Sequence, residues 1–165
     1  METRYFATGN YRQGDRCETA HAMKNGERWA IWKAANEMVQ YIPKNAVLVP
    51  MPSHTGRATY TLDLCRKLAK ETAAEVCDYL KGTPRETLYN LKKQGRHFLP
   101  AKLGFYLAQP LPAGKRVIII DNVVATGTTA VAAVRAIGGG IVFAYAAATN
   151  SQQRKDLVRL YPNIN

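Results

Sequence analysis

Cysteine is scarce and scattered in this sequence. The 165-residue chain holds three, Cys17, Cys65 and Cys77, with no CxxC pair, so neither a disulfide framework nor a zinc ribbon is supported. Cys17 and His21 can face each other across a helical turn, but two ligands do not complete a metal site. Long apolar runs are also missing. The longest spans the eight residues Ile141 to Ala148, against the ~18 of a membrane-spanning helix. The opening Met1-Glu2-Thr3-Arg4 has none of the apolar stretch of a signal peptide. Together these absences lead us to expect a cytoplasmic protein without a membrane partner. Acidic residues are few: 12 Asp and Glu stand against 23 Lys and Arg, a net charge of +11. Such an excess suits a polyanionic partner, whether nucleic acid, a phosphorylated metabolite or an acidic surface, and charge alone does not choose.

What is present reads as one globular domain over residues 1–165, with 47% hydrophobic residues and no repeat or linker tract. The first 25 residues are turn-rich, with breakers at Gly9-Asn10 and Gly14-Asp15, and suggest a hairpin or extended lead-in that could serve as a hood. Ile31, Ala34, Ala35, Met38 and Ile42 recur at helical spacing up to Pro43. Ala46 to Val49 reads as a short buried strand stopped by Pro50-Met51-Pro52. A helix is expected from about Tyr60 to Thr72 and a strand over Glu75 to Leu80. From Lys81 to Lys102 no period is sustained, and a loop with one short helical stretch is expected.

The strongest pattern follows. Arg116 to Ile120 is a β-branched run suited to a strand covered on both faces. Gly127 to Ile137 carries a helical apolar face, Gly138-Gly139-Gly140 breaks it, and Ile141 to Thr149 forms another buried strand. This is a parallel βαβ unit with a right-handed crossover, and the β-α alternation predicts a doubly wound, mainly parallel α/β sheet flanked by helices. The junction reads Asp121-Asn122-Val123-Val124-Ala125-Thr126-Gly127-Thr128-Thr129. An acid ends a central strand, and a small hydroxyl-rich turn then opens a helix. Free backbone N–H groups, the helix dipole and three threonine hydroxyls can surround a phosphate there. The same residues would also make an ordinary capped helix start. Neither a P-loop nor a GxGxxG is present.

Residues Val117 to Thr129 resemble the fingerprint of the type I phosphoribosyltransferases: four aliphatics, two acids, two aliphatics, then a small residue-Thr-Gly-x-Thr turn. The resemblance implies that Ala125, Thr126, Gly127, Thr128 and Thr129 bind the 5′-phosphate of 5-phosphoribosyl-1-pyrophosphate (PRPP). It likewise implies that Asp121 and Asn122 face the ribose, with Asp121 acting in catalysis. The second acid of the pattern is Asn122 here, which removes one negative charge near the ribose and its Mg²⁺. A weaker resemblance is to the ComF-like branch: Lys24-Asn25-Gly26, then a long helix, then Val47-Leu48-Val49-Pro50-Met51-Pro52. That branch's zinc ribbon is absent, and its basic segment survives only as Gly56-Arg57-Ala58-Thr59.

The turn Ser53-His54-Thr55-Gly56-Arg57 can present backbone N–H groups as a nest, with Arg57 and His54 adding donors. The resemblance assigns it to pyrophosphate, although a lone His in a polar loop is as often plain surface. Lys81 to Lys102 holds six basic residues and one acid, a segment charge of +5. The resemblance implies a mobile loop closing over PRPP, with Arg85, Lys92, Lys93 and Arg96 as its candidates. A solvated basic loop, or a nucleic-acid contact using Tyr89 and Phe98, also fits. Tyr5, Phe6 and Tyr11 could form a base platform or pack in the core. The implied reaction moves the phosphoribosyl group to a nitrogen acceptor, a nucleobase-like small molecule, with Mg²⁺ held mainly by the substrate. A homodimer is also implied. The alternative is a PRPP-binding or nucleic-acid-associated protein with little transferase activity.

Overall fold

A central strand with no polar alternation must be covered on both faces, and this chain builds two layers of helix to cover its sheet. The computed structural model describes residues 2–96, 99–148 and 154–161. In chain order the elements are β1 (Thr3–Asn10), α1 (Arg16–Lys24), α2 (Arg28–Met38) running into a 3₁₀ turn at Val39–Tyr41, β2 (Ala46–Pro50), α3 (Tyr60–Thr72) and β3 (Glu75–Val76). There follow β4 (Leu80–Lys81), α4 (Leu88–Lys93), a 3₁₀ turn at Pro100–Leu103, β5 (Tyr106–Leu107), β6 (Arg116–Val124), α5 (Thr128–Ile137), β7 (Ile141–Ala147) and β8 (Leu157–Arg159). The main sheet has the order β3-β2-β6-β7-β1-β8, and every pairing in it is parallel. β4 and β5 form a separate antiparallel pair.

The chirality of parallel crossovers explains where the helices lie. From β6 to β7 the chain steps one way across the sheet, whereas from β2 to β3, and from β1 to β2, it steps the other way. Right-handed crossovers in opposite directions must occupy opposite faces. Accordingly Met23 of α1, Ile31 and Met38 of α2 and Leu64 and Leu68 of α3 pack with Ile118, Ile120 and Phe143 on one face. Val131 and Val134 of α5 pack with Val47, Ile119 and Val142 on the other. The doubly wound parallel sheet expected from the sequence is therefore the architecture observed.

Helix ends follow local chemistry. α3 stops at Ala73 and α5 at Gly138, both left-handed, each returning its N–H to the carbonyl four residues earlier. At the other end of α4, the Thr87 hydroxyl accepts the Asn90 N–H at 3.2 Å, a side-chain N-cap.

Three elements differ from expectation. The first 25 residues are not a hairpin or lead-in: residues 3–10 form a strand between β7 and β8, and residues 16–24 form a helix. Tyr5 and Ala7 enter one core while Phe6 stacks on Phe143 at 3.9 Å in the other. Gly9-Asn10 ends this strand rather than preventing it. The stretch from Glu75 to Leu80 is not one strand, because Asp78 and Tyr79 turn between β3 and β4. Finally, β6 runs four residues past Ile120, carrying Asp121 and Asn122 inside the strand. Thr149, Phe98 and the stretch from Asn150 to Gln153 lie outside the described residues. No described helix is long and apolar enough to cross a membrane.

Candidate functional site

The connections that leave β2 and β6 diverge to opposite faces of the sheet, so the crevice between their carboxyl ends is a topological switch point, where open α/β sheets bind ligands. The strand register opens this crevice. Pairing of β2 with β6 ends at Pro50↔Ile120, while β6 stays paired with β7 as far as Val124↔Ala147. Past Ile120, then, β6 has a partner on one side and a cavity of about 370 Å³ on the other. Asp121, Asn122 and Thr129 line it from β6 and α5, and Ser53, His54 and Thr55 from the loop after β2.

Asp121 is 5% exposed. One carboxylate oxygen accepts the Asn122 N–H at 2.8 Å. Burial dominates its protonation equilibrium and pushes the pKa up to about 7, against the opposing pull of the Asn122 N–H and the nearby Lys24 ammonium. It sits at the cavity wall as a carboxyl poised between its two forms near neutrality.

Asn122 is held on three sides. Its side-chain oxygen accepts from the Tyr60 hydroxyl at 3.1 Å and from the Val123 N–H at 2.9 Å. Its amide donates to the Ala20 carbonyl of α1 at 3.3 Å. The Tyr60 hydroxyl stays protonated, raised first by burial and then by the charge of Asp121. The residue at this point of the strand thus knots α1, α3 and β6 together.

The turn Ala125–Thr129 adjoins the same cavity. Gly127 is the left-handed N-cap of α5, with no side-chain cap. The Thr126 and Thr128 hydroxyls lie 3.1 Å apart, and Ala125 and Thr126 are exposed. The Thr128 N–H meets the Thr126 hydroxyl at a long 3.5 Å, and the first-turn N–H groups, two converging hydroxyls and the helix dipole together favour an anion here.

Across the crevice, the loop Ser53–Arg57 closes on itself through Ser53 N–H to the Arg57 carbonyl at 2.9 Å and Gly56 N–H to the Ser53 carbonyl at 3.0 Å. It is laced to the next segment: the Gly82 N–H donates to the Gly56 carbonyl at 2.9 Å, and the Arg85 N–H to the His54 carbonyl at 2.8 Å. This lacing brings Arg85 into the cavity wall, where burial holds its guanidinium pKa below the usual value. Arg57 is exposed and, like Gly56, is not among the described residues lining the cavity. Lys92 and Lys93 lie on α4 and Arg96 just beyond it, all exposed and none lining the cavity. Leu88 and Tyr89 of α4 do line it.

Sequence reasoning missed Tyr60 and Arg85's special place. Lys24 and Asn25, which line the cavity from the end of α1, entered only as part of a lead-in motif. Of the proposed aromatic platform, Tyr5 is fully buried and Phe6 belongs to the core. Tyr11 instead bonds His21 at 2.9 Å.

The molecule is therefore a doubly wound parallel α/β protein whose switch-point cavity combines one buried carboxyl, a hydroxyl-rich helix start and a half-buried arginine. No family model matches the chain, and no curated protein matches it. Among solved structures, a purine phosphoribosyltransferase from Pyrococcus horikoshii Ot3 aligns over 98% of this chain and 98% of its own, at 13% identity and a TM-score of 0.40. So loose an overlay decides nothing about chemistry, which this chain's own residues must carry.

Proposed function

We propose that this protein is a type I phosphoribosyltransferase, of the ComF-like branch, that transfers the phosphoribosyl group of PRPP to a nitrogen acceptor of nucleobase type. The observation that carries the reading is the convergence of Asp121, Thr129, Ser53 to Thr55 and Arg85 on one switch-point cavity, to whose wall the fingerprint Val117–Thr129 contributes Asp121, Asn122, Val123 and Thr129. The turn Ala125–Thr129 would take the 5′-phosphate through N–H groups and hydroxyls. Asp121 would hold the ribose hydroxyls. Ser53–Arg57 and Arg85 would take the pyrophosphate.

The acceptor nitrogen forms a bond to C1 of the ribose as the bond to pyrophosphate breaks and the leaving group carries away the electron pair. Positive charge develops on the sugar, so the protein contributes orientation and electrostatics rather than a covalent nucleophile. Asp121, ionised, would offset that charge, and Arg85 would stabilise the departing pyrophosphate, helped by Lys92, Lys93 and Arg96 if the segment closes. The donor set fits Mg²⁺ carried on the substrate's own oxygens, with Asp121 the carboxylate facing it, because this ion keeps waters and takes few protein ligands. When bound, Mg²⁺ would neutralise charge on the diphosphate.

A second reading, a PRPP-binding protein with slow or no transfer, is favoured by the engagement of Asn122, whose side chain is committed to Tyr60 and Ala20 rather than to the ribose. Pyrophosphate release and nucleotide formation, measured with PRPP, Mg²⁺ and a panel of bases, separate the two. Turnover with any base supports the transferase. PRPP binding without product from any base leaves the binder, and no PRPP binding removes both.

A further inference from the structure

We propose that the amino-terminal edge of the sheet holds a second ligand site, for a small organic anion with an apolar body. A cavity of about 780 Å³ opens there, with an apolar floor that includes Phe6 and Ile118, the Tyr41 ring at one side, and Arg4 and Arg116 at its rim. Its size falls in the range of small-molecule pockets, roughly 300–1,000 Å³.

Strand alternation aims both arginines at the same face. Arg4 stands two residues before Phe6 on β1, and Arg116 two before Ile118 on β6. Phe6 and Ile118 both belong to the core under α1, α2 and α3, so the period of two places Arg4 and Arg116 on that side as well. Among the described residues the one acid in the lining, Glu2, is paired with Arg4 at 3.1 Å. Among the described residues Arg116 has no acidic partner, so the rim keeps one uncompensated guanidinium over an aromatic and aliphatic floor. That combination selects an anionic head joined to an apolar or planar body, and disfavours both a free inorganic ion and a neutral hydrocarbon.

The glycine turn contributes space. Gly138, Gly139 and Gly140 line the cavity, and a Cβ at Gly138 or Gly139 would meet nothing within 4 Å. The space where side chains at these two positions would stand is open, and the sequence supplies none. The two sites lie at opposite ends of β6, since Arg116 and Asp121 are five residues apart, roughly 16 Å along a strand. The second site does not depend on the reading of the first.

The test uses anilinonaphthalene sulfonate, a fluorescent anion with an apolar body, titrated into the folded full chain, with circular dichroism confirming that each variant is folded. We expect saturable one-to-one binding that weakens about tenfold in Arg116→Gln and further in Arg4→Gln/Arg116→Gln, the loss of one and then two charge-assisted contacts. Arg85→Gln, at the other end of the sheet, should leave that affinity unchanged. Uncharged anilinonaphthalene should bind at least about tenfold more weakly than the sulfonate. Equal affinity in wild type and the double variant, or loss of binding in Arg85→Gln, overturns the site. Equal affinity for the uncharged analogue overturns the anion. Light scattering that shows a dimer which the double variant dissociates would make this face an interface, and overturns the proposal too.

Discussion

The side-chain amide of Asn122 donates to the backbone carbonyl of Ala20, 102 residues away, at 3.3 Å. A carboxylate could not make this bond. Placed here, its oxygen would face the Ala20 carbonyl oxygen, two acceptors without a proton between them. The asparagine that departs from the two-acid pattern is thus matched to its surroundings. Restoring the acid with Asn122→Asp should destabilise the protein by about 1–3 kcal/mol, the cost of an unsatisfied buried polar contact. Urea unfolding checks this, and an Asp variant as stable as wild type would show that the amide is not needed.

Asp121 gives a pH dependence whose sign is fixed. An acid with a pKa near 3.8 when unfolded and about 7 when folded resists ionisation in the native state. Below about pH 4 it is protonated in both states and costs nothing; above about pH 7 it is ionised in both and the full penalty applies. Its contribution therefore falls as pH rises through that window. Asp121→Asn should remove the penalty, gaining on the order of 2–4 kcal/mol at pH 8 and little at pH 4. It should also weaken PRPP–Mg²⁺ binding, since the carboxylate is the group proposed to face the ribose. Urea midpoints at the two pH values test the first part. An equal difference at both would place the titrating group elsewhere.

How much of this was legible in the residues depends on which range of contact each feature uses. β2, α3 and α5 are local patterns: a fully buried run, and helices whose buried residues Leu64, Cys65 and Leu68, or Ala130, Val131 and Val134, recur at three and four. The turn Ala125–Thr129 is likewise local. β1 was not legible, because each of its faces is covered by a different partner, and the polar Thr3 and Thr8 with Gly9-Asn10 look like a turn. The cavity wall was least legible of all. Arg85 is brought there by hydrogen bonds from residues 82 and 85 back to residues 56 and 54, and Tyr60 by a bond that spans 62 positions. No periodicity encodes such pairings. Asn122's engagement belongs to the same class: the motif shows the missing charge, and only the fold shows what the amide holds.

Gly56 is the stitch between the two segments proposed to take the pyrophosphate. Its φ is +82°, and a Cβ there would overlap the Gly82 carbonyl oxygen, backbone that cannot swing aside. Gly56→Ala should cost about 2 kcal/mol or more through combined strain and displacement. It should also loosen the Ser53–Arg57 loop from residue 85, so that KM for PRPP rises more than kcat falls. Steady-state kinetics alongside urea unfolding decide the point, and wild-type stability in Gly56→Ala would contradict the close approach of the two segments.

Arg85 and Arg57 offer the sharpest comparison within the proposed pyrophosphate site. Both are arginines near the same loop, and the sequence places Arg57 on the turn assigned to pyrophosphate and Arg85 on the basic segment expected to close over it. In the fold, Arg85 lines the cavity and is half-buried with its guanidinium desolvated, whereas Arg57 is exposed and outside the lining. A charge-assisted bond to phosphate is worth more where water is displaced, and an exposed cation is screened by solvent and salt. Arg85→Ala should therefore weaken PRPP binding by about tenfold or more, and Arg57→Ala by less than about threefold, with the Arg57 effect disappearing at high salt. Calorimetric titration of PRPP into both variants at low and high ionic strength checks this. A larger loss in Arg57→Ala would mean that the loop swings its exposed arginine onto the ligand, and that the ligand lies outside the cavity wall that Arg85 forms.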